Sequence, residues 1–373
     1  MISPLAAGPA GVGPASGPTD PASQAVQPLR LRAGDRELEL GPRPSLMGIV
    51  NASPDSLSDG DLHPTLDARL QLARELLAAG ADMLDIGGES ASGGREPVPL
   101  ERELELVVPL VERVAGELGA IVSVETYRPS LARAAIAAGA SIINDVSGLR
   151  DPALAEVCAR TGAALVVTHT RAAPRERLQD PDLCGDITAE VLAFLRERMA
   201  AAVRLGVAPK QLIVDPGPDL AKTPAQTVRL LADVERLHEL HRPLLMAISR
   251  KDFIGALTQR APRERLAGTL AALGHGADAG AHIFRVHDVA AAADFLNVRA
   301  ALSGAAPPRS DLTLPEALRF DPAPRFCAPA HTVDHGAYVR LVPGAAGQAA
   351  RLDRTTGARR CPTRRDAHHP SRT

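Results

Sequence analysis

From residue 45 onward the chain alternates short apolar runs with Ala- and Leu-rich stretches of helical spacing, and this alternation restricts the fold more than any other feature. The apolar runs begin at Leu46, Met83, Ile121, Ser141, Ala164, Leu212, Leu244 and His282. Near-continuous apolar character suits parallel strands buried on both faces. Segments such as Thr65 to Ala79 and Pro129 to Ala138 have helical spacing between them. Eight β-then-α units spread over about 260 residues predict an α/β fold of the TIM (β/α)8 barrel type. An open doubly wound sheet is the alternative, and no GxGxxG follows the first strand in its support.

The flanking segments read differently. Residues 1 to 28 are rich in Pro, Ala, Gly and Ser and are expected to be disordered. Leu29-Arg30-Leu31-Arg32 and Glu37-Leu38-Glu39-Leu40 alternate apolar and charged residues around Ala33-Gly34-Asp35-Arg36, which predicts a hairpin over residues 29–41. That hairpin would plug the bottom of the barrel. The barrel domain is expected over residues 29–304, ending near Gly304. Residues 305–373 then form a tail, with one short helix over Leu312 to Leu318. From about residue 321 the tail is Pro-, Ala-, Arg- and His-rich without periodicity, so it is expected to be disordered.

Composition excludes several function classes. With 373 residues and 45% hydrophobic content the chain can bury a large core. Lys+Arg 42 against Asp+Glu 44 leaves no basic excess for nucleic acid, and 2% aromatics with no Trp leave no stacking platform. Cys158, Cys184, Cys327 and Cys361 form no CxxC pair and no His/Cys cluster, as expected for reduced thiols in a cytoplasmic protein. No apolar stretch approaches membrane-spanning length.

In a TIM barrel the functional groups project from the C-terminal strand ends. Read in order, these ends carry Asn51, then Asp85-Ile86-Gly87-Gly88-Glu89-Ser90, Glu125-Thr126-Tyr127 and Asn144-Asp145. Thr168-His169, Asp215-Pro216-Gly217, Ser249-Arg250-Lys251 and Arg285-Val286-His287-Asp288 complete the ring. Any single tip reads equally well as a loop residue or helix cap, but eight polar tips at one end of a barrel point to a site. Asp85 reads equally as a buried structural carboxylate, and His169 has no evident partner.

Several of these stretches carry a family resemblance. Leu46-Met47-Gly48-Ile49-Val50-Asn51-Ala52-Ser53-Pro54-Asp55-Ser56-Leu57-Ser58-Asp59-Gly60 resembles the opening signature of dihydropteroate synthases. So do residues 80–90, Ser141-Ile142-Ile143-Asn144-Asp145-Val146-Ser147-Gly148, Asp215-Pro216-Gly217 with Lys222-Thr223-Pro224, Ser249-Arg250-Lys251 and Arg285-Val286-His287-Asp288. These enzymes join a pterin pyrophosphate to p-aminobenzoate in folate biosynthesis, and the resemblance spans roughly residues 29–304. It implies that Asp215 and Asn144 grip the pterin edge and that Lys251 donates to ring acceptors. Arg285 would lie over the ring and reach phosphate, with His287 and Asn51 on the pyrophosphate. The Asn51 amide oxygen would meet Mg²⁺, a hard cation that takes oxygen ligands. Glu125 would stabilise the cationic pterin, where the family has Asp; Glu125, Lys251 and Arg285 form the implied catalytic set. The resemblance also implies a homodimer.

Departures from the family cluster on the second-substrate side. Ala91-Ser92-Gly93 replaces Thr-Arg-Pro, Leu57 replaces Phe, Asp252 replaces a Ser after Ser-Arg-Lys, and Leu220 replaces a second Phe. Asp252 is expected as a helix N-cap, and Arg95 and Arg171 are the residues to restore the missing cationic charge. Two other readings follow: a pterin-binding paralogue with weak or no synthase activity, and a pterin-dependent methyltransferase domain. The combination of Ser-Arg-Lys with Arg-Val-His-Asp argues against the latter.

Overall fold

The alternation resolves into eight parallel strands ringed by helices in a computed structural model, which describes residues 28–41, 43–52, 63–89, 97–176, 178–180 and 185–319. A hairpin comes first, β1 (Leu29–Ala33) paired antiparallel with β2 (Arg36–Leu40). The barrel begins with β3 (Ser45–Asn51), α1 (Leu66–Ala78), β4 (Met83–Gly87), α2 (Leu100–Leu118), β5 (Val122–Glu125), α3 (Pro129–Ala137), β6 (Ile142–Asp145) and α4 (Ala153–Thr161). It continues through β7 (Ala164–Thr168), α5 (Ile187–Arg204), β8 (Leu212–Asp215), α6 (Pro224–Ala232), β9 (Leu245–Met246), α7 (Asp252–Thr258) and α8 (Leu266–Asp278). β10 (Ile283–Val286) and α9 (Val289–Leu302) finish it.

The strand order is β8-β7-β6-β5-β4-β3-β10-β9, and a parallel bridge between Val214 and Leu244 joins the two ends. The Val214 N–H donates to the Pro243 carbonyl at 3.0 Å across that seam. Closure removes the sheet edges, and the TIM-barrel expectation holds.

Alternation along each strand divides the apolar residues in two. Met47, Met83, Ile142, Ala164, Val166, Ile213, Leu245 and Ile283 pack inside the barrel together with Leu31, Ala33 and Leu40 of the hairpin. The hairpin thus plugs the barrel interior, as expected. The intervening residues, among them Leu46, Leu84, Ile143, Leu165, Val214 and Phe284, pack outward against the helices. Side-chain caps start several helices: Thr65 accepts from the Ala68 N–H, Asp186 from Ala189 and Thr223 from Gln226.

The chain divides into two units, Met1–Leu312 and Thr313–Thr373. In the second, the described residues hold a single 3₁₀ turn, Glu316–Leu318, where the sequence predicts a helix over Leu312 to Leu318. Leu314 and Leu318 stay exposed there, so no apolar burial supports a longer helix. The segments 1–27 and 320–373, for which disorder is expected, lie outside the described residues. No described helix is long and apolar enough to cross a membrane.

Candidate active site

The two-residue period that buries apolar side chains in the barrel also delivers polar ones to its upper mouth. Met83 faces the interior, so Asp85 does too; Ile142 is followed inside by Asn144, Ile213 by Asp215, and Ile283 by Arg285. On β5 the inward positions are Ser123 and Glu125. Strand register sets these groups side by side: Ile49 pairs with Asp85, Asp85 with Ser123, Glu125 with Asn144 and Thr168 with Asp215. The polar layer therefore sits directly on the apolar one, at the C-terminal ends of the strands.

Arg285 organises that layer. Its Nε donates to Asp85 Oδ2 at 2.6 Å and its Nη2 to Glu125 Oε2 at 2.6 Å. Asn144 Nδ2 donates to the same Asp85 oxygen at 3.1 Å. Asp85 is fully buried, and such a charge persists only when paired. Burial pushes the Glu125 carboxyl upward, against the pull of Arg285 and Lys251 and with the repulsion of Asp85 and Asp215. Burial pulls Arg285 down, but the Glu125 and Asp85 carboxylates outweigh it and leave the guanidinium firmly charged. Two buried acceptors, Asp85 Oδ1 and Asn144 Oδ1, have no partner among the described residues.

Asp215 closes the ring. The Gly217 N–H donates to its Oδ1 at 2.7 Å, while burial pushes the carboxyl up to about 6 against that bond and the charges of Lys251, Lys222 and Arg285. The turn needs glycine: Gly217 has φ +63°, and a Cβ there would stand 2.0 Å from the His169 carbonyl oxygen. Lys222, absent from the expected site, is buried beside this turn with Nζ on three backbone carbonyls.

Just past β10, the His287 N–H donates to Ser249 Oγ at 3.2 Å, and Ser249 Oγ stands 2.9 Å from His287 Nδ1. A hydroxyl that accepts the backbone N–H is free to donate to Nδ1, which leaves the ring proton on Nε2. Burial lowers the His287 pKa to about 3, helped by Arg250, Arg285 and Lys251, so the imidazole is a neutral donor. β10 lies next to β3 in the sheet, with Arg285 opposite Met47 and Val286 opposite Gly48. Asn51, half-buried, ends β3 three residues beyond Gly48 and pairs with Gly87 of β4. Among the described residues no group of three or more His, Cys, Asp or Glu side chains is placed to hold a metal.

The second-substrate side differs from its expectation. Leu57, Ala91, Ser92 and Arg95 lie outside the described residues. Asp252 is the first residue of α7 and not its cap; Lys251 occupies the cap position. The Asp252 carboxylate is 63% exposed and pairs with Arg265 Nη1 at 3.1 Å. Arg171 does not stand ready as a replacement cation, because it grips Glu190 with two bonds of 2.6 Å and reaches Gln226 at 3.2 Å. Glu89, buried nearby, accepts from the Val98 N–H at 2.8 Å, Tyr127 Oη at 2.7 Å and Arg175 Nη1 at 2.6 Å. It joins segments that follow three different strands.

His169 does have a partner, which the sequence did not reveal. Its Nε2 lies 3.5 Å from a Glu190 carboxylate oxygen, and its ring meets Phe194 edge-on at 4.9 Å. Burial lowers its pKa to about 4. Asp85, Lys222 and Ser249 stand in stretches the sequence singles out but outside its expected set of binding residues. The signal for the first was a charge inside an otherwise apolar strand.

A family model described as "Pterin binding enzyme" matches residues 47–287. The dihydropteroate synthase of Escherichia coli (strain K12) is 38% identical over 261 residues, 70% of this chain and 92% of that protein. Among solved structures, a Xanthomonas albilineans dihydropteroate synthase with 4-aminobenzoic acid aligns with TM-score 0.67 and 43% identity, covering 74% of this chain and 98% of that one. The same organism's enzyme in complex with 7,8-dihydropteroate aligns with TM-score 0.65 and 42% identity, over 73% and 98% of the two chains.

Proposed function

This chain belongs to the dihydropteroate synthase family of pterin-binding enzymes, and from that premise we propose that it condenses 6-hydroxymethyl-7,8-dihydropterin pyrophosphate with p-aminobenzoate. The products are 7,8-dihydropteroate and pyrophosphate. The observation that carries the reading is the pair of buried, unpartnered acceptors, Asp85 Oδ1 and Asn144 Oδ1, in one layer with Asp215. A pterin presents an amino group and an adjacent ring N–H along one edge. Carboxylate and amide oxygens held in a preformed layer match that edge and reject a ligand without donors.

In this reading Asp215, Asn144 and Asp85 Oδ1 take the donor edge, Asp85 Oδ2 holds Asn144 and Arg285, and Lys251 donates to ring acceptors. The Asp85 and Glu125 carboxylates fix the Arg285 plane, leaving its face and Nη1 for the ligand. His287 offers its Nε2 proton to the pyrophosphate without adding charge. As pyrophosphate departs, positive charge grows at the pterin methylene, and Glu125 stands across from it as a preorganised carboxylate. The arylamine attacks that carbon, so no covalent enzyme intermediate is needed.

The donor set at Asn51 suits Mg²⁺ carried by the substrate, since one amide oxygen with phosphate oxygens and waters is a usual arrangement for that ion. When bound there it would neutralise charge on the departing pyrophosphate. The matched relatives are synthases, which displaces the methyltransferase reading. A homodimer in the cytoplasm belongs to the same proposal and rests on the family resemblance. The test is product formation from pterin pyrophosphate and p-aminobenzoate, run beside calorimetric binding of each. Turnover supports the synthase; tight pterin binding without turnover would leave a binding paralogue.

A further inference from the structure

Lys222 heads the fully buried side chains by size among the described residues, an unusual place for a lysine. No carboxylate pairs with it there. Its Nζ instead donates to the carbonyls of Gly217 at 2.8 Å, Leu220 at 3.1 Å and His169 at 3.4 Å. An ammonium has three protons, and all three are used. Two acceptors belong to the turn after Asp215 and the third to the tip of β7. The turn is contorted: Gly217, Asp219 and Ala221 all have positive φ, at 63°, 62° and 51°. Its course aims several carbonyl dipoles at one point, an arrangement that repels itself unless a cation sits there.

The same turn sets the carboxylate. The Gly217 N–H holds Asp215 Oδ1 at 2.7 Å, and the His169 N–H donates to the Asp215 carbonyl at 2.9 Å. Gly217 and His169 thus each touch both Lys222 and Asp215. We propose that Lys222 is a positioning residue for pterin recognition, its ammonium locking the 217–221 turn to the β7 tip so that Asp215 is held aimed and ionised. The proposal rests on the reading that Asp215 grips the pterin.

Charge supports the geometry. Lys222 faces Asp215, Arg171, Glu190, Lys251 and the His169 imidazole, while Asp215 faces Lys251, Lys222, Arg285 and Glu125. Burial lowers Lys222 to about 7 and raises Asp215 to about 6, and each is partly restored by the other. Removing the ammonium therefore moves Asp215 further upward and shifts the acidic limb of pterin binding to higher pH.

Calorimetric titration with pterin pyrophosphate across roughly pH 5.5–8.5 tests this in the wild type, Lys222→Met and Asp215→Asn, with the p-aminobenzoate KM as a second readout. A folded Lys222→Met protein is expected to bind the pterin about tenfold more weakly at neutral pH, with its acidic limb about one unit higher. Its KM for p-aminobenzoate should change less than about threefold, since Lys222 acts through Asp215. A folded Lys222→Met protein with wild-type affinity and an unmoved limb would overturn the inference. If Lys222→Met does not fold, Lys222→Gln, which keeps a donor without the charge, is read by the same limb: displaced supports the proposal, unmoved refutes it. Asp215→Asn separates the two layers of argument. Unchanged pterin affinity there sinks the pterin reading itself. Weakened affinity beside an unaffected Lys222 variant sinks only the role of Lys222.

Discussion

Asp85→Asn separates a recognition carboxylate from a purely structural one. The change keeps the shape but removes a charge that holds Arg285 Nε at 2.6 Å and Asn144 Nδ2 at 3.1 Å. Breaking a buried pair by removing one partner costs about 3–5 kcal/mol. Arg285 keeps its second carboxylate, Glu125, also at 2.6 Å, so the stability loss should fall lower, at about 2 kcal/mol. Binding has its own cost. If the new amide oxygen stays on Arg285 and Asn144, its NH₂ replaces the unpartnered Asp85 Oδ1 and meets pterin donors with a donor. That mismatch costs about 1–3 kcal/mol, a rise in Kd of about 5- to 150-fold. Calorimetry with pterin pyrophosphate measures the second figure and denaturant melts the first. Lowered stability with Kd within about twofold of wild type would make Asp85 a structural carboxylate, the alternative its sequence context leaves open.

Burial disfavours ionised Asp215, so for this group the fold is most stable below its ordinary value of 3.8 and loses that contribution as pH rises to about 6. Pterin donors favour the anion, so affinity should rise through about pH 6 with proton release, visible as a buffer-dependent binding enthalpy; a flat profile from pH 5 to 8 contradicts this. Chelating divalent ions, like Asn51→Ala, is expected to weaken binding of the pterin pyrophosphate about tenfold or more while sparing the unphosphorylated pterin, and equal effects on both ligands would remove Asn51 from the phosphate corner. Asp252→Ser should raise kcat/KM for p-aminobenzoate only about two- to fivefold, because Arg265 already faces this exposed carboxylate; a hundredfold gain in steady-state assays would mean that the charge stands unscreened in the pocket.

The inward-facing polar layer is legible from sequence because strands carry it. Once Ile142, Ile213 and Ile283 are known to face inward, the period of two places Asn144, Asp215 and Arg285 inward as well, and strand ends need no long-range information. Small boundary errors do no harm: Ile121 and Ser141 stand one residue before β5 and β6 yet still make ladder bonds, Leu84 N–H to Ile121 at 3.0 Å and Ser141 N–H to Val122 at 2.9 Å. What the pattern cannot assign is the partner. Asp85 is 200 residues from Arg285 and 59 from Asn144, and Lys222 is 53 from His169, so each reads as ambiguous or unremarkable until the barrel closes.

Loops reverse the situation. Asp252 has the composition of a cap but occupies the position after it, because the backbone at Lys251 is already extended and begins the helix one residue earlier than an N-cap reading requires. Its ion-pair partner is Arg265, thirteen residues on, whose Nη1 also donates to the Arg250 and Lys251 carbonyls at 2.8 and 3.1 Å. Arg265 therefore braces the segment that carries Lys251 as well as screening Asp252. A substitution that reads as an added negative charge arrives with a cation already committed to the same backbone. On that geometry one guanidinium couples Asp252 to the Lys251 segment, so under the proposed function Arg265→Ala should disturb both ligands in calorimetric titration where Asp252→Ser disturbs only p-aminobenzoate.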